Sequence, residues 1–96
     1  MPSPHGTGTA EGGVLAISLK AVTLVPMGSG HFWAPRSAPG GVCDAWLMTT
    51  EYPGHVDRVV YGRYSTAREI GNEHLRAIGR GERFPDSADD WSFAIA

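Results

Sequence analysis

Beyond residue 13, the sequence carries four imidazole and thiol side chains of the kind that bind zinc in proteins: His31, Cys43, His55 and His74. Consecutive members of this set are separated by 12, 12 and 19 positions. A structural zinc site usually takes its ligands in compact pairs such as C-x2-C or H-x3-H, in which one turn presents both side chains. The spacing therefore predicts no metal site, and no pattern in the chain indicates a cofactor.

Cys43 is the residue best suited to nucleophilic catalysis, which needs a thiolate activated by a neighbouring histidine. No local signature of a cysteine enzyme surrounds it, and we expect a buried cysteine in a strand. The glycine pairs at 6–8 and 28–30 precede no helix, so no phosphate-binding loop is indicated. The sequence predicts a protein that is not an enzyme; an enzyme that uses His74 or Cys43 is the alternative.

The basic side chains are concentrated in one segment. Residues 58–83 contain six basic and three acidic residues, a net charge of +3, whereas the whole chain carries −2. Three of these arginines are placed to contact the phosphates of a nucleic acid: Arg68, Arg76 and Arg80. Glutamates alternate with them, which is also typical of a solvated helix face with ion pairs. Nucleic-acid binding is therefore a secondary hypothesis.

Those arginines belong to the segment 64–81, which has the strongest secondary-structure signal in the chain. Its apolar residues recur at helical spacing, and its charged residues occupy the opposite side. Thr66 followed by Glu69 has the spacing of a capping box, and Gly81 suits the left-handed residue that ends a helix. The pattern predicts an amphipathic helix that begins near Thr66.

His74 falls near the centre of the apolar side of this predicted helix. The favoured interpretation is a half-buried core histidine with one ring nitrogen bonded to a backbone carbonyl. The alternative is a general base or a metal ligand. No acid or nucleophile at a known spacing supports that alternative.

Residues 14–25 are rich in β-branched side chains and alternate with period two, which predicts a strand. One face of it carries Leu15, Ile17, Leu19, Ala21 and Val25. A straight strand of this length spans roughly 40 Å. Because that is longer than usual, we expect a bend or bulge near Lys20.

Residues 43–51 and 56–63 predict a hairpin. Pro53 followed by Gly54 suits the two central positions of a type II turn. In the first strand Trp46 and Met48 share one face, and the opposite face is apolar as well. One face should therefore meet the helix, and the other a loop or a partner.

The remaining segments are predicted to be irregular. Residues 26–42 read as a long loop, with Phe32 and Trp33 either anchoring a partner or folding over the sheet. Residues 84–96 read as an acidic linker and a short strand with Trp91, Phe93 and Ile95, which either closes its own sheet or pairs with another subunit. We predict that the partner-binding residues are Phe32, Trp33, Trp91, Phe93 and Ile95.

Together these segments predict one small α+β domain: an antiparallel sheet made of the hairpin, the long first strand and the short last one, packed on one helix. Residues 1–13 form a flexible arm, 14–83 the domain, and 84–96 the tail. A single cysteine predicts no internal disulfide. No signal peptide or membrane segment is indicated, so we expect a soluble protein.

The start of the helix segment gives the one resemblance to a known family. The run Arg63-Tyr64-Ser65-Thr66-x-x-Glu69-Ile70-x-x-Glu73-His74 follows a hairpin. It resembles small actinobacteriophage proteins with the pattern R-Y-x-T-x-x-E-A-x-x-G-H after a hairpin, over about a third of the chain. It departs from them at Ile70 and Glu73. The resemblance implies a phage origin and a place in the virion or the host cytoplasm, and it implies no catalytic residue.

The sequence therefore favours a non-enzymatic interaction or assembly protein, with other protein subunits, including copies of itself, as partners. Three segments of the chain, residues 1–13, 26–42 and 84–96, are not expected to fold alone. Fixing their backbone costs about 1–2 kcal/mol per residue, so only contacts with a partner could order them. A small regulator that binds a host protein or nucleic acid through the arginine-bearing hairpin and helix is the second hypothesis.

Overall fold

The computed structural model describes residues 13–96. In chain order its elements are β1 (Ala16–Met27), β2 (Gly30–Pro35), β3 (Cys43–Tyr52), β4 (His55–Tyr61), α1 (Tyr64–Ala77) and β5 (Ser92–Ile95). The strands form one antiparallel five-stranded sheet in the order β2-β1-β3-β4, and β5 also pairs with β1. The predicted α+β class is confirmed. The predicted arm at 1–13 lies, apart from Gly13, outside the described residues.

β1 is the centre of the sheet. It pairs with β3 along one edge, while β2 and β5 share its other edge, end to end. Ile17, Leu19 and Ala21 are buried on one face, as the period-two alternation predicts, but Leu15 is exposed. Pairing with β3 is continuous from Ala16 to Leu24. Of the expected bend or bulge near Lys20, the bulge is therefore absent from the pairing of β1 with β3.

β2 corrects part of the predicted loop over residues 26–42: Gly30–Pro35 is a strand, whereas residues 36–42 are irregular as predicted. A two-residue turn, Gly28-Ser29, connects β1 to β2, and the pairing runs from Met27–Gly30 to Val22–Pro35. Gly28 has φ of +63°, which glycine adopts at no steric cost. Proline is tolerated in β2 because an edge strand has backbone groups that pair with nothing in the sheet.

The helix packs on the face of the sheet that carries Trp46 and Met48, which we call the helix face. Its buried positions are Ala67, Gly71 and Leu75, spaced by four residues. They join strand residues in the main core cluster: Ile17, Leu19, Ala21, Trp46 and Met48. The predicted amphipathic helix is thus present. His74, however, is exposed, so the predicted core histidine is wrong.

Both ends of the helix differ from the prediction. It begins at Tyr64 with Arg63 as N-cap and no side-chain cap, rather than at a Thr66 capping box. Tyr64 holds this first turn by tertiary contacts: its ring lies 4.8 Å from that of Trp46, and its hydroxyl donates to Pro85 O at 2.6 Å. At the other end Gly79, with φ of +80°, is the left-handed residue expected at Gly81. Its N–H and that of Arg80 donate to Arg76 O and Leu75 O, which is a Schellman motif.

The segment after the helix belongs to the core. Phe84 is buried in the main cluster, and its backbone N–H donates to Asn72 Oδ1 at 2.8 Å. β5 then pairs with β1 of the same chain, from Lys20–Ser92 to Ile17–Ile95. Residues 84–96 therefore complete this domain's own interior. The argument that they need another protein to become ordered is wrong.

Gly71 is where the helix and Phe84 come closest. A Cβ built at Gly71 would lie 2.9 Å from Phe84 Cε2, closer than real Cβ atoms approach. Gly71→Ala gains about 1 kcal/mol of helix propensity, but overpacking costs about 1–3 kcal/mol. We expect a net loss of stability in urea denaturation. Gly81→Ala is the control, because a Cβ there has no atom within 4 Å. If Gly71→Ala stabilises the protein, Phe84 does not pack on this helix as described.

Candidate interaction surface

The face of the sheet opposite the helix carries a second, smaller apolar cluster, and we call this side the open face. The cluster consists of Val22, Ala45 and Leu47, with Leu24 packed against it. All of these residues belong to β1 and β3. Within residues 13–96, therefore, no second layer contributes an apolar side chain to the cluster. The helix and Phe84 pack against the helix face instead.

Large apolar side chains on both sides of this cluster reach the solvent. Strand alternation places Trp33 of β2 on the open face beside Leu24, and Val60 of β4 beside Leu47. Trp33 is 39% exposed, Val60 37% and Val56 43%. Isolated exposed apolar residues are common on soluble proteins, but Trp33 and Val60 flank a buried apolar cluster, and Val56 lies farther along β4 on the same sheet face, beyond Arg58. Such a face is typical of a protein–protein contact.

Among residues 13–96, β4 is the long free edge of the sheet. Its residues from His55 to Val60 are all exposed, and its pairing with β3 has no bulge. The turn Pro53-Gly54 makes Tyr52–His55 a hydrogen-bonded pair. Because such pairs alternate along an antiparallel ladder, Val56, Arg58 and Val60 direct their backbone N–H and C=O groups away from β3. An edge of this kind is a template for another strand.

The five predicted partner-binding residues do not form one surface. Phe32 and Trp33 are both exposed, but alternation places them on opposite faces of β2. Trp91 is 60% exposed. Phe93 and Ile95, in contrast, pack against the protein's own core. β5 thus closes the sheet of its own chain, the first of the two predicted alternatives, and these two side chains have a structural role.

Two of the three predicted phosphate-binding arginines line an open polar cleft of about 310 Å³ beside the helix. Its lining residues are Arg68, Glu69, Asn72, Glu73, Arg76, Arg83 and Asp86. Three guanidinium groups thus face three carboxylates. Arg68 also donates to Asp86 O at 2.7 Å, which ties the cleft to the segment after Phe84. This balance of charge does not favour a polyanion.

Arg80, the third of those arginines, lies outside the cleft lining and is engaged elsewhere. Its guanidinium donates to both carboxylate oxygens of Glu82, at 2.9 and 2.7 Å, and to Ala96 O at 2.7 Å. The hydrogen bonds from Arg80 hold the pKa of Glu82 at about 2, well below its usual value. Arg80 therefore has a local structural partner for its charge.

The side chains considered for catalysis or metal binding are not brought together. Within the described part of the chain, no group of three or more His, Cys, Asp or Glu residues could hold a metal ion. Cys43 is exposed near the start of β3 rather than buried, so that prediction is wrong. His55 stacks on Tyr52 at 4.5 Å and lies 3.9 Å from Asp57, on the surface of the hairpin.

The predicted partner-binding residues do not include Val56 and Val60 of the open face, although the sequence carries a pattern that points to them. Period-two alternation already separates Val56 and Val60 from Val59 and Tyr61 on β4. What it could not supply is which face the helix covers and which strand is the edge.

The helix in residues 13–96 has neither the length nor the apolar content to cross a membrane. Comparisons with protein-family models, curated proteins and solved structures found no match to this chain.

Proposed function

We propose that this protein is a non-enzymatic interaction or assembly protein that contributes the open face of its sheet to a contact with another protein subunit. The observation that carries the proposal is the position of exposed Trp33 and Val60 beside a cluster that, within residues 13–96, is built from strand residues alone. Burying such side chains stabilises a contact by roughly 25 cal/mol per Å² of apolar area. A tryptophan at the centre of an interface is also a common hot spot.

The resemblance of the helix start to small actinobacteriophage proteins supports a setting in a phage particle or in the infected host cell. Assembly in a particle would cover an apolar sheet face permanently. The charge balance of the polar cleft gives the nucleic-acid alternative no added support.

The open face is tested by replacing Trp33 and Val60 with serine in the full chain. We expect the double variant to lose most of the fluorescence of an apolar dye bound to the native protein, and to lose concentration-dependent association in sedimentation. The reason is that both substitutions remove apolar surface without touching the main core. Circular dichroism checks that the fold is retained.

Phe32→Ser is the matched control, because Phe32 is similarly exposed but belongs to the helix face. The control should bind dye and associate nearly as the native protein does. Equal losses in the two variants, or no dye binding by the native protein at all, would contradict the proposed function.

A further inference from the structure

We infer that the partner at one edge of this sheet is a second copy of the chain, joined by antiparallel pairing of the two β4 strands about Val59. This inference rests on the proposed function and names one partner for it. In the sheet order, β4 is the end strand on one side, whereas β2 and β5 share the other. β5 has four residues and β2 ends in Pro35, so β4 offers the longest uninterrupted edge.

The backbone of β4 matches its own copy. Val56, Arg58 and Val60 direct their N–H and C=O groups outward. In a two-fold pairing centred on Val59, Arg58 of each copy lies opposite Val60 of the other. Each of these pairs exchanges both backbone hydrogen bonds, and this satisfies groups that the single chain leaves to water.

The charges of β4 disfavour two competing registers of this pairing. A pairing centred on Arg58 would set two guanidinium groups directly opposite each other, and one centred on Asp57 would set two carboxylates opposite each other. Like charges in that position destabilise a sheet. Centring on Val59 avoids both conflicts. It places the two Val59 side chains, each 43% exposed in the single chain, in contact across the axis.

The same pairing enlarges the open face. Directly paired residues of antiparallel strands lie on the same side of a sheet, so the open faces of the two copies become continuous. Val56 and Val60 of both copies then lie in the middle of one continuous sheet face rather than at its margin, with Arg58 of each copy between them. The self-pairing therefore prepares a wider surface for whatever the open face contacts.

Arg58→Pro tests the inference. It removes an N–H that points away from β3, so the chain's own ladder stays intact. Loss of that donor in both copies is expected to weaken self-association by about tenfold or more, measured by sedimentation equilibrium. Arg58→Ala is the matched control. It keeps the N–H and should associate as the native chain does or slightly more tightly.

A second pair of variants covers the case in which Arg58→Pro disturbs the fold. Val59→Lys sets like charges opposite each other at the axis and should weaken association, while Val59→Thr keeps a β-branched side chain and should preserve it. Amide exchange adds a separate readout: the N–H groups of Val56, Arg58 and Val60 should become protected as protein concentration rises.

The outcomes separate this inference from the proposed function. If Arg58→Pro and Val59→Lys associate like the native chain while the Trp33/Val60 double variant does not, edge pairing is wrong and the open-face contact stands. A native chain that stays monomeric up to about millimolar concentration, well above the Kd of a stable dimer, overturns edge pairing. In that case the dye-binding experiment alone decides the proposed function.

Discussion

Phe84→Ala is expected to lower the free energy of unfolding by about 3–5 kcal/mol, as for other buried phenylalanines. Phe84 is only 2% exposed, and its ring packs against Gly71 of the helix. Removing the ring leaves a cavity between the helix and the segment that follows it. Domains of this size are stable by about 5–15 kcal/mol. A large part of the total would therefore be lost, and urea denaturation followed by circular dichroism measures it.

Phe32→Ala is the matched control for this substitution. Phe32 is 43% exposed, so the same change of side chain should cost under about 1 kcal/mol. Similar losses for the two variants would mean that Phe84 is not part of the interior. The segment after the helix would then be the loose linker that its composition suggests.

The main elements of the fold were predictable because their periodicities are long and consistent. Ile17, Leu19 and Ala21 alternate as a buried strand face should, and Pro53-Gly54 adopts the expected turn, with φ of +94° at Gly54. Each of these signals is local. A hairpin or an amphipathic helix can therefore be predicted before its neighbours are known.

The orientation of the helix was not predictable from hydrophobicity alone. The apolar arc of the sequence is centred near His74, yet the buried stripe runs through Ala67, Gly71 and Leu75. Glycine scores as nearly neutral on a hydrophobicity scale, but here its small size lets the Phe84 ring approach the helix backbone. Because the Gly71 side of the helix packs against Phe84, His74 lies on the solvent-exposed side.

Composition misled the prediction where proline and glycine are frequent. Their frequency over residues 26–42 predicts a loop, yet Gly28 and Gly30 lie in and beside the turn before β2, and Pro35 lies at its end. Phe84 is a single aromatic residue in an acidic segment. Hydrophobic periodicity needs several apolar residues, so it cannot predict that this one is buried. Both assignments depend on contacts that are distant in sequence.

The candidate surface was predictable only in part. The sequence indicates that both faces of the hairpin are apolar, which is what an open face requires. It does not indicate that the helix covers the Trp46 side, nor that β4 is an edge strand. Strand order follows from long-range pairing, and the same pairing packs Phe93 and Ile95 against the core of their own domain.

Trp46→Ala is expected to lower the free energy of unfolding as much as Phe84→Ala does, by about 3–5 kcal/mol. It should also weaken the attachment of β5 to the domain. The Trp46 ring, 5% exposed, lies 4.8 Å from that of Tyr64 and 6.2 Å from that of Phe93. On another side the Arg36 guanidinium lies 5.1 Å from it. Trp46 thus packs against the start of the helix, β5 and the segment after β2 at once.

This arrangement predicts an uneven effect along the chain. β5 has four residues and pairs only with β1, so side-chain packing of Phe93 must supply much of its stability. In Trp46→Ala the amides of β5 should exchange faster than those of β3 and β4, beyond what the global loss of stability explains. Trp91→Ala removes an equally large but exposed ring and should leave β5 protected. Uniform acceleration across all strands would show that Trp46 stabilises the domain only as a whole, and that β5 is held by its backbone pairing with β1.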